Sequence, residues 1–212
     1  VSMPVEKYHK LARALRNSSS PQDIYNRVVY INQAPEELLT SSRELPTKFN
    51  DVGLWQEFDD IVLTMIYLDL ITYHPDDILQ KVDRAAMAVS LETRVPFLDH
   101  EIIEFVMSLP IEFKLKNGEG KHLLRKVLYK HIPQEIMERP KMGFTIPLGE
   151  WLKGSLRDWA TDLLEPAKLK QEGYFDTVPV TDMWNEHLKG SPNLGHQLWN
   201  VLMFQSWIEK YN

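Results

Sequence analysis

Along this chain apolar residues recur mostly three and four positions apart, and clusters of proline and serine interrupt them. That spacing marks helices with one buried face, whereas the apolar–polar alternation of half-buried strands is scarce. Asn-Gly hairpin signals between apolar runs are scarce as well, so a mainly α fold is expected. Val5 to Asn17 reads as a first helix. Ser20 is placed to cap a second, with Pro21 in its first turn and Asp23 three residues beyond the cap. Residues 32 to 50 hold Pro35, Pro46 and several Ser and Thr, and read as a short helix within a loop. A long helix is predicted from about Val52 to Tyr73, ended by Pro75.

The next predicted helix carries Asp76 and Asp77 at its positive end and an apolar stripe of Ile78, Leu79, Val82, Ala86 and Val89. Asp83 and Arg84 fall beside that stripe, and small residues at 85, 86 and 88 allow another backbone to approach. Val95 before Pro96 is expected to be extended. Asp99 is placed to cap a helix with Ile102, Ile103, Val106 and Leu109 on one face. Glu92 and Arg94 flank Thr93 in the extended stretch and point to the same side. Either they belong to a buried ion-pair network that fixes the corner, or they meet a ligand.

KHLLRKVLYKHI, residues 121 to 132, predicts an amphipathic helix with Leu124, Val127, Leu128 and Ile132 inward. In EWLKGSLRDWATDLL, Trp151, Leu152, Leu156, Trp159 and Leu163 stand at helical spacing and are expected in a core. LWNVLMFQSWI is apolar nearly all round, as a buried closing helix is. His187 and His196 are too isolated to suggest a metal site. No internal repeat or heptad array appears, so a single globular helical unit is the simplest account.

Composition narrows the function. At 212 residues and 43% hydrophobic content the chain can enclose a sizeable core. It contains no cysteine, which excludes disulfides, thiolate metal ligands and a cysteine nucleophile and makes a cytoplasmic setting the expectation. The first residues lack the apolar core of a signal peptide, and the most apolar run, Ile61 to Tyr73, falls short of the roughly 20 residues a bilayer needs. No membrane partner is expected. A net charge of −6 argues against general nucleic-acid binding. From Phe113 to Met142, however, eight basic residues face three acidic ones, giving +5 and leaving −11 on the remainder. Such a reversal fits an anionic ligand, an acidic neighbour or simply a solvated basic face. Lys121 and Arg125 share a helix face, and RPKMGFTIP presents Arg139 and Lys141 around the stiff Pro140 and the permissive Gly143. A lysine so held suits a phosphate.

LDLITYHPDDILQKVDRAAMAVSLETRVPFLDHEIIEF, GKHLLRKVL, RPKMGFTIPLGEWL and LWNVLMFQSWI, in this order, closely resemble the C-terminal part of the synthetase domain of glutamine-dependent asparagine synthetases. The likeness is strong over residues 60 to 212 and weak before them. It implies a helical portion of an α/β synthetase domain of the adenine-nucleotide-hydrolase (ATP pyrophosphatase) type, with residues 1–50 an N-terminal helical segment and 51–212 the C-terminal helical part. Enzymes of this family adenylate the side-chain carboxylate of aspartate with ATP and Mg2+. They then amidate it with ammonia that a separate N-terminal domain releases from glutamine. By motif match Lys141 is the catalytic residue facing the phosphates, with Lys121, Arg125 and Arg139 as candidates on the pyrophosphate side. Asp83, Arg84, Glu92 and Arg94 match the family's DR and LExR positions and are implied to support the site from behind.

Two departures bear on these expectations. The family's Ser-Gly-Gly-x-Asp-Ser phosphate loop is absent, since the chain has no Gly-Gly pair, and so is the cysteine-bearing glutaminase domain. The nucleotide-binding half and the glutaminase are therefore the expected partners, besides the small-molecule substrates and a second copy of the chain. Alone, the chain is expected to bind no cofactor and to be inactive. Two alternatives remain: a relative that forms another amide or a lactam, and a helical interaction module without catalysis.

Overall fold

The computed structural model of the chain describes residues 12, 14–16, 18, 20–32, 34–41, 45–48, 50–51, 53, 55–56, 58–139, 146–190 and 192–211. The expected first helix, Val5 to Asn17, lies mostly outside the described residues. The chain is mostly helical, and the described residues hold one sheet, of two strands. It divides into two compact units: residues 1–45 together with 143–212, and residues 46–142.

The first unit opens with α1 (Pro21–Val29), which begins as expected, the Ser20 hydroxyl accepting from the Asp23 N–H at 3.1 Å. A 3-10 turn (Pro35–Leu38) leads to a short backbone ladder. Asp176 N–H donates to Leu38 C=O at 2.9 Å, Thr40 N–H to Tyr174 C=O at 3.1 Å, and Leu39 bridges Phe175. Among the described residues the unit continues with five helices: α8 (Leu148–Lys153), α9 (Arg157–Leu163), α10 (Pro166–Glu172), α11 (Thr177–Leu188) and α12 (Gly195–Tyr211), numbered in chain order with those of the second unit below. Leu152, Ala160, Val180, Leu198 and Leu202 are fully buried at their meeting point. Each buried Leu or Val there is worth about 1.5–3 kcal/mol over exposure.

The predicted helix across Trp151 to Leu163 is two helices, because the chain turns at Gly154. Leu152 and Leu163 enter the core as expected, but Trp151 remains exposed. The closing helix is also not buried all round. Leu198, Val201, Leu202, Gln205 and Ile208 face inward, while Met203, Phe204, Trp207 and Tyr211 face out; Phe204 meets Trp207, Trp207 meets Tyr211, and Phe204 lies edge-on to Tyr174. Gln205 is fully buried, and its amide donates to the Leu163 C=O and the Glu172 carboxylate, tying together the ends of α9 and α10.

His187 closes the junction between α8, α11 and α12. It is 1% exposed. Its Nδ1 accepts from the Leu194 N–H at 3.2 Å, which leaves the ring proton on Nε2 to be donated to the Gly149 C=O at 3.1 Å. Burial lowers its pKa below the ordinary histidine value, so the ring is held neutral. Gly149 and Gly195 let the helices meet: a Cβ on Gly195 would stand 3.0 Å from the Gly149 Cα.

In the second unit α2 (Ile61–Ile71) starts later than the expected position of about Val52, because the Asp60 carboxylate accepts the Val62 N–H at 2.7 Å and starts the helix there. Pro75 does not end the helical path. The chain bends at Thr72 and continues through a wider π-helical turn, His74–Leu79, which accommodates the missing proline N–H and runs into α3 (Gln80–Met87). Val95 is extended before a 3-10 turn (Pro96–Leu98), and Asp99 caps α4 (His100–Ser108) through the Glu101 N–H at 2.9 Å. The Lys114 ammonium, at the end of α5 (Ile111–Lys114), donates to the C=O groups of Met107 and Leu109 at the C-terminal end of α4. Partial burial lowers its pKa, against the attraction of Asp60.

A hairpin follows: β1 (Leu115–Lys116) pairs antiparallel with β2 (Glu119–Gly120) across Asn117 and Gly118, both at positive φ. Asn-Gly is the turn pair that suits this backbone, although the strands it joins are only two residues each. Then come α6 (His122–Leu128) and α7 (Gln134–Met137). Leu124 and Val127, expected inward, are exposed.

Candidate functional site

Every candidate residue that the structure describes lies in the second unit. The π-helical turn, α3, the extended stretch and α4 enclose a groove of about 770 Å³. Its wall is mainly apolar, with Leu79, Val82, Val95 and Ile102, and it carries the polar groups of Asp83, Thr93, Arg94 and Asp99. The sequence brings them together for local reasons. Proline at 96 keeps Val95 extended, so Thr93 and Val95 alternate with the residues between them. The Asp99 cap turns the chain back into α4, which supplies Ile102.

Glu92 and Arg94 pair as expected, at 2.5 Å, but the pair is not buried: the Arg94 side chain is 82% exposed and that of Glu92 69%. Among the described residues nothing covers it, so it is screened by water and worth at most about 1 kcal/mol. Arg84 does not join the pair. Its Nε donates to the Gln80 amide oxygen at 2.9 Å, one helical turn back. Asp83, beside it, faces the groove.

The basic region is differently built. Arg125 is part of a compact cluster that draws on three elements. Its guanidinium pairs with Glu138 and lies 3.4 Å from Glu119. It also donates to the Tyr129 hydroxyl at 3.0 Å and to the Gly120 C=O at 3.0 Å. The Tyr129 hydroxyl donates to Glu138 in turn, and this hydrogen bond raises the phenol pKa above its usual value. Lys121 stands at the start of α6 in the left-handed conformation, exposed. Arg139 is exposed, and its Nε donates to the Ile136 C=O at 2.8 Å. Lys141 lies outside the described residues.

Sequence reasoning missed Glu138, Tyr129 and the groove. The spacing of Arg125 and Tyr129, one turn apart, offered a signal. Glu138 joins from thirteen residues away, and only the tertiary fold brings it there. Among the described residues no three His, Asp or Glu side chains converge as metal ligands. With no Gly-Gly pair in the sequence, these residues do not by themselves compose a cradle for a triphosphate and its metal.

The second unit thus carries an ion-clasped basic cluster and a groove of mixed apolar and polar lining. A family model described as asparagine synthase matches residues 3–209, and the chain belongs to that family. It is 34% identical over 143 residues to asparagine synthetase [glutamine-hydrolyzing] 1 of Bacillus subtilis, an alignment covering 68% of this chain and 22% of that protein. A putative asparagine synthetase [glutamine-hydrolyzing] of Mycobacterium tuberculosis is 38% identical over 150 residues, covering 70% and 22%. Asparagine synthetase [glutamine-hydrolyzing] 3 of Bacillus subtilis is 30% identical over 209 residues, covering 92% and 32%. The chain thus spans between about a fifth and a third of the length of these relatives. No solved structure matches it.

Proposed function

We propose that the chain works as the helical part of an ATP-dependent asparagine synthetase, which adenylates the side-chain carboxylate of aspartate and amidates it with ammonia from glutamine. The observation that carries this reading is the family match along residues 3–209 together with relatives named as glutamine-hydrolysing asparagine synthetases. In this reading a glutaminase and a nucleotide-binding sheet stand elsewhere in the enzyme and hold glutamine, ATP and Mg2+, in the cytoplasm. This chain contributes Lys141 as a cation near the phosphates, where a fixed charge stabilises the leaving pyrophosphate by several kcal/mol. Lys121 and Arg139 add positive potential on the same side, and Asp83, Arg84, Glu92 and Arg94 line or buttress the groove.

The test is ATP–pyrophosphate exchange dependent on aspartate in the full-length synthetase that carries this chain. Lys141→Ala should lower it at least about 100-fold; exchange equal to that of the unmodified enzyme would remove Lys141 from the mechanism. The 212-residue chain alone should form no asparagine, and measurable product would contradict the division of labour. A second reading, an enzyme that activates a different carboxylate, is favoured by 26% identity over 181 residues to a protein named Amidase chry2 of Gibberella zeae. Exchange supported by another carboxylate but not by aspartate selects it.

A further inference from the structure

The β1–β2 turn holds the one place in the sequence where glycine follows asparagine. An asparagine side-chain amide can be attacked by the backbone nitrogen of the next residue, and glycine leaves that nitrogen unshielded because it has no Cβ. Nothing in the fold protects the pair. Asn117 and Gly118 are both exposed, and a Cβ on Gly118 would meet nothing within 4 Å. Among the described residues neither the Asn117 amide nor the Gly118 N–H has a hydrogen-bond partner. Other asparagines are guarded: Asn26, Asn185 and Asn200 lie inside α1, α11 and α12, and the Asn193 Oδ1 accepts the Gly195 N–H at 3.1 Å. Ring closure needs the turn to open, and opening is cheap because each strand has only two residues.

We propose that Asn117 is a site of spontaneous covalent modification: its side chain cyclises onto Gly118 and hydrolyses to aspartate and isoaspartate, and the isoaspartate form detaches the hairpin from α6. The Gly118 nitrogen, its proton taken by hydroxide, attacks the Asn117 Cγ. The bond from Cγ to Nδ2 breaks, and Nδ2 takes a proton from water and leaves as ammonia. Water then opens the resulting succinimide at either carbonyl, so one water is consumed for each ammonia released and nothing is oxidised or reduced. Opening at Cγ gives aspartate. Opening at the main-chain carbonyl gives isoaspartate, whose backbone runs through Cβ and Cγ and is longer by one carbon. That extra carbon falls in the turn that sets the pairing of Leu115 with Gly120 and of Lys116 with Glu119. Those return residues are the ones Arg125 holds: the Gly120 C=O accepts its Nε at 3.0 Å, and Glu119 lies 3.4 Å from Nη1. Tyr129 and Glu138 keep the guanidinium in place while the hairpin leaves it.

Peptide mapping by mass spectrometry after incubating the 212-residue chain in heavy-oxygen water tests this. Residue 117 should convert within about 10-fold of the rate in the free peptide of residues 114–120, the slowing being the cost of opening the turn. The rate should rise with hydroxide concentration. Two products of equal mass should form, each with one heavy oxygen, and only one should accept a methyl group from S-adenosylmethionine and a protein-isoaspartate methyltransferase. An intact Asn117 after the peptide has reacted completely, or aspartate without isoaspartate, overturns the proposal. Amide hydrogen exchange at residues 116 and 119 reads the detachment and should be faster in aged protein. Asn117→Gly keeps a turn that accepts positive φ but cannot cyclise, and should retain slow exchange through the same incubation. Fresh Asn117→Asp carries the new charge on an ordinary backbone and should also exchange slowly. Unchanged exchange in aged protein, or equally fast exchange in either variant, overturns the detachment.

Discussion

Replacing Gly195 by alanine tests the close approach of α8 and α12. Gly195 is buried at the first residue of α12, and an added Cβ would meet the Gly149 Cα at 3.0 Å and its N at 3.1 Å. Both are backbone atoms and cannot rotate aside, so α8 and α12 must part by roughly half an ångström to reach ordinary contact. Overpacking of this kind costs about 1–3 kcal/mol. Against it stands a gain of about 0.4–1 kcal/mol, because Gly195 is not at positive φ and alanine restricts the unfolded chain. At the middle of both ranges the loss wins, leaving a net destabilisation of about 1.3 kcal/mol. Urea unfolding followed by tryptophan fluorescence reports it, since Trp159, Trp184 and Trp199 line the surrounding core. Gly149→Ala separates backbone from side-chain obstruction: its Cβ would lie 2.5 Å from the Asn193 Oδ1. Its penalty should vanish in an Asn193→Ala background, whereas that of Gly195→Ala should persist. A Gly195→Ala protein as stable as the original would refute the contact between these helices.

Three further outcomes follow from other parts of the structure. His187 is neutral when folded, with its pKa lowered by burial, so the unfolded chain binds the proton more readily. Its contribution to stability should be complete above about pH 6.5 and decline as pH falls toward the folded pKa, by at most about 1.4 kcal/mol per unit, and His187→Gln should flatten this dependence in pH-resolved thermal melts. Lys114→Met removes the ammonium from the C-terminal carbonyls of α4 and should cost about 1 kcal/mol, read as loss of amide protection in residues 107–109; unaltered protection would mean water replaces it at no cost. Val89, Leu91, Phe97 and Phe105 of the second unit are 59–75% exposed, so the isolated chain should self-associate, and sedimentation that stays monomeric across concentrations would count against that surface being sticky.

Local signals were readable in the sequence, and contacts between distant residues were not. Ser20 and Asp99 announce their helices because a cap is a bond to a backbone N–H two or three residues away. Asp60 uses the same chemistry but was hidden by apolar residues on both sides that suggested an unbroken helix. Pro75 was read as a stop because a π-helical turn, which tolerates it, leaves no mark in spacing. The polar members of the groove were visible as charges near one corner, yet the exposure of Glu92 and Arg94 depends on what packs over them. His187, Gln205 and Glu138 owe their roles to partners 38, 42 and 13 residues away, distances at which periodicity carries no information.

The ladder that lays residues 38–40 along residues 174–176 has a consequence for synthesis. The Thr40 hydroxyl and the Gly173 C=O it reaches at 2.6 Å are separated by 133 positions. Closing so long a span costs about 4 kcal/mol of chain entropy before any apolar contact offsets it. On the ribosome the opening segment must wait, unpaired, while the whole of residues 46–142 emerges between its halves. The intervening unit therefore has the chance to fold first, and the surrounding one becomes complete only when its last helices leave the exit tunnel.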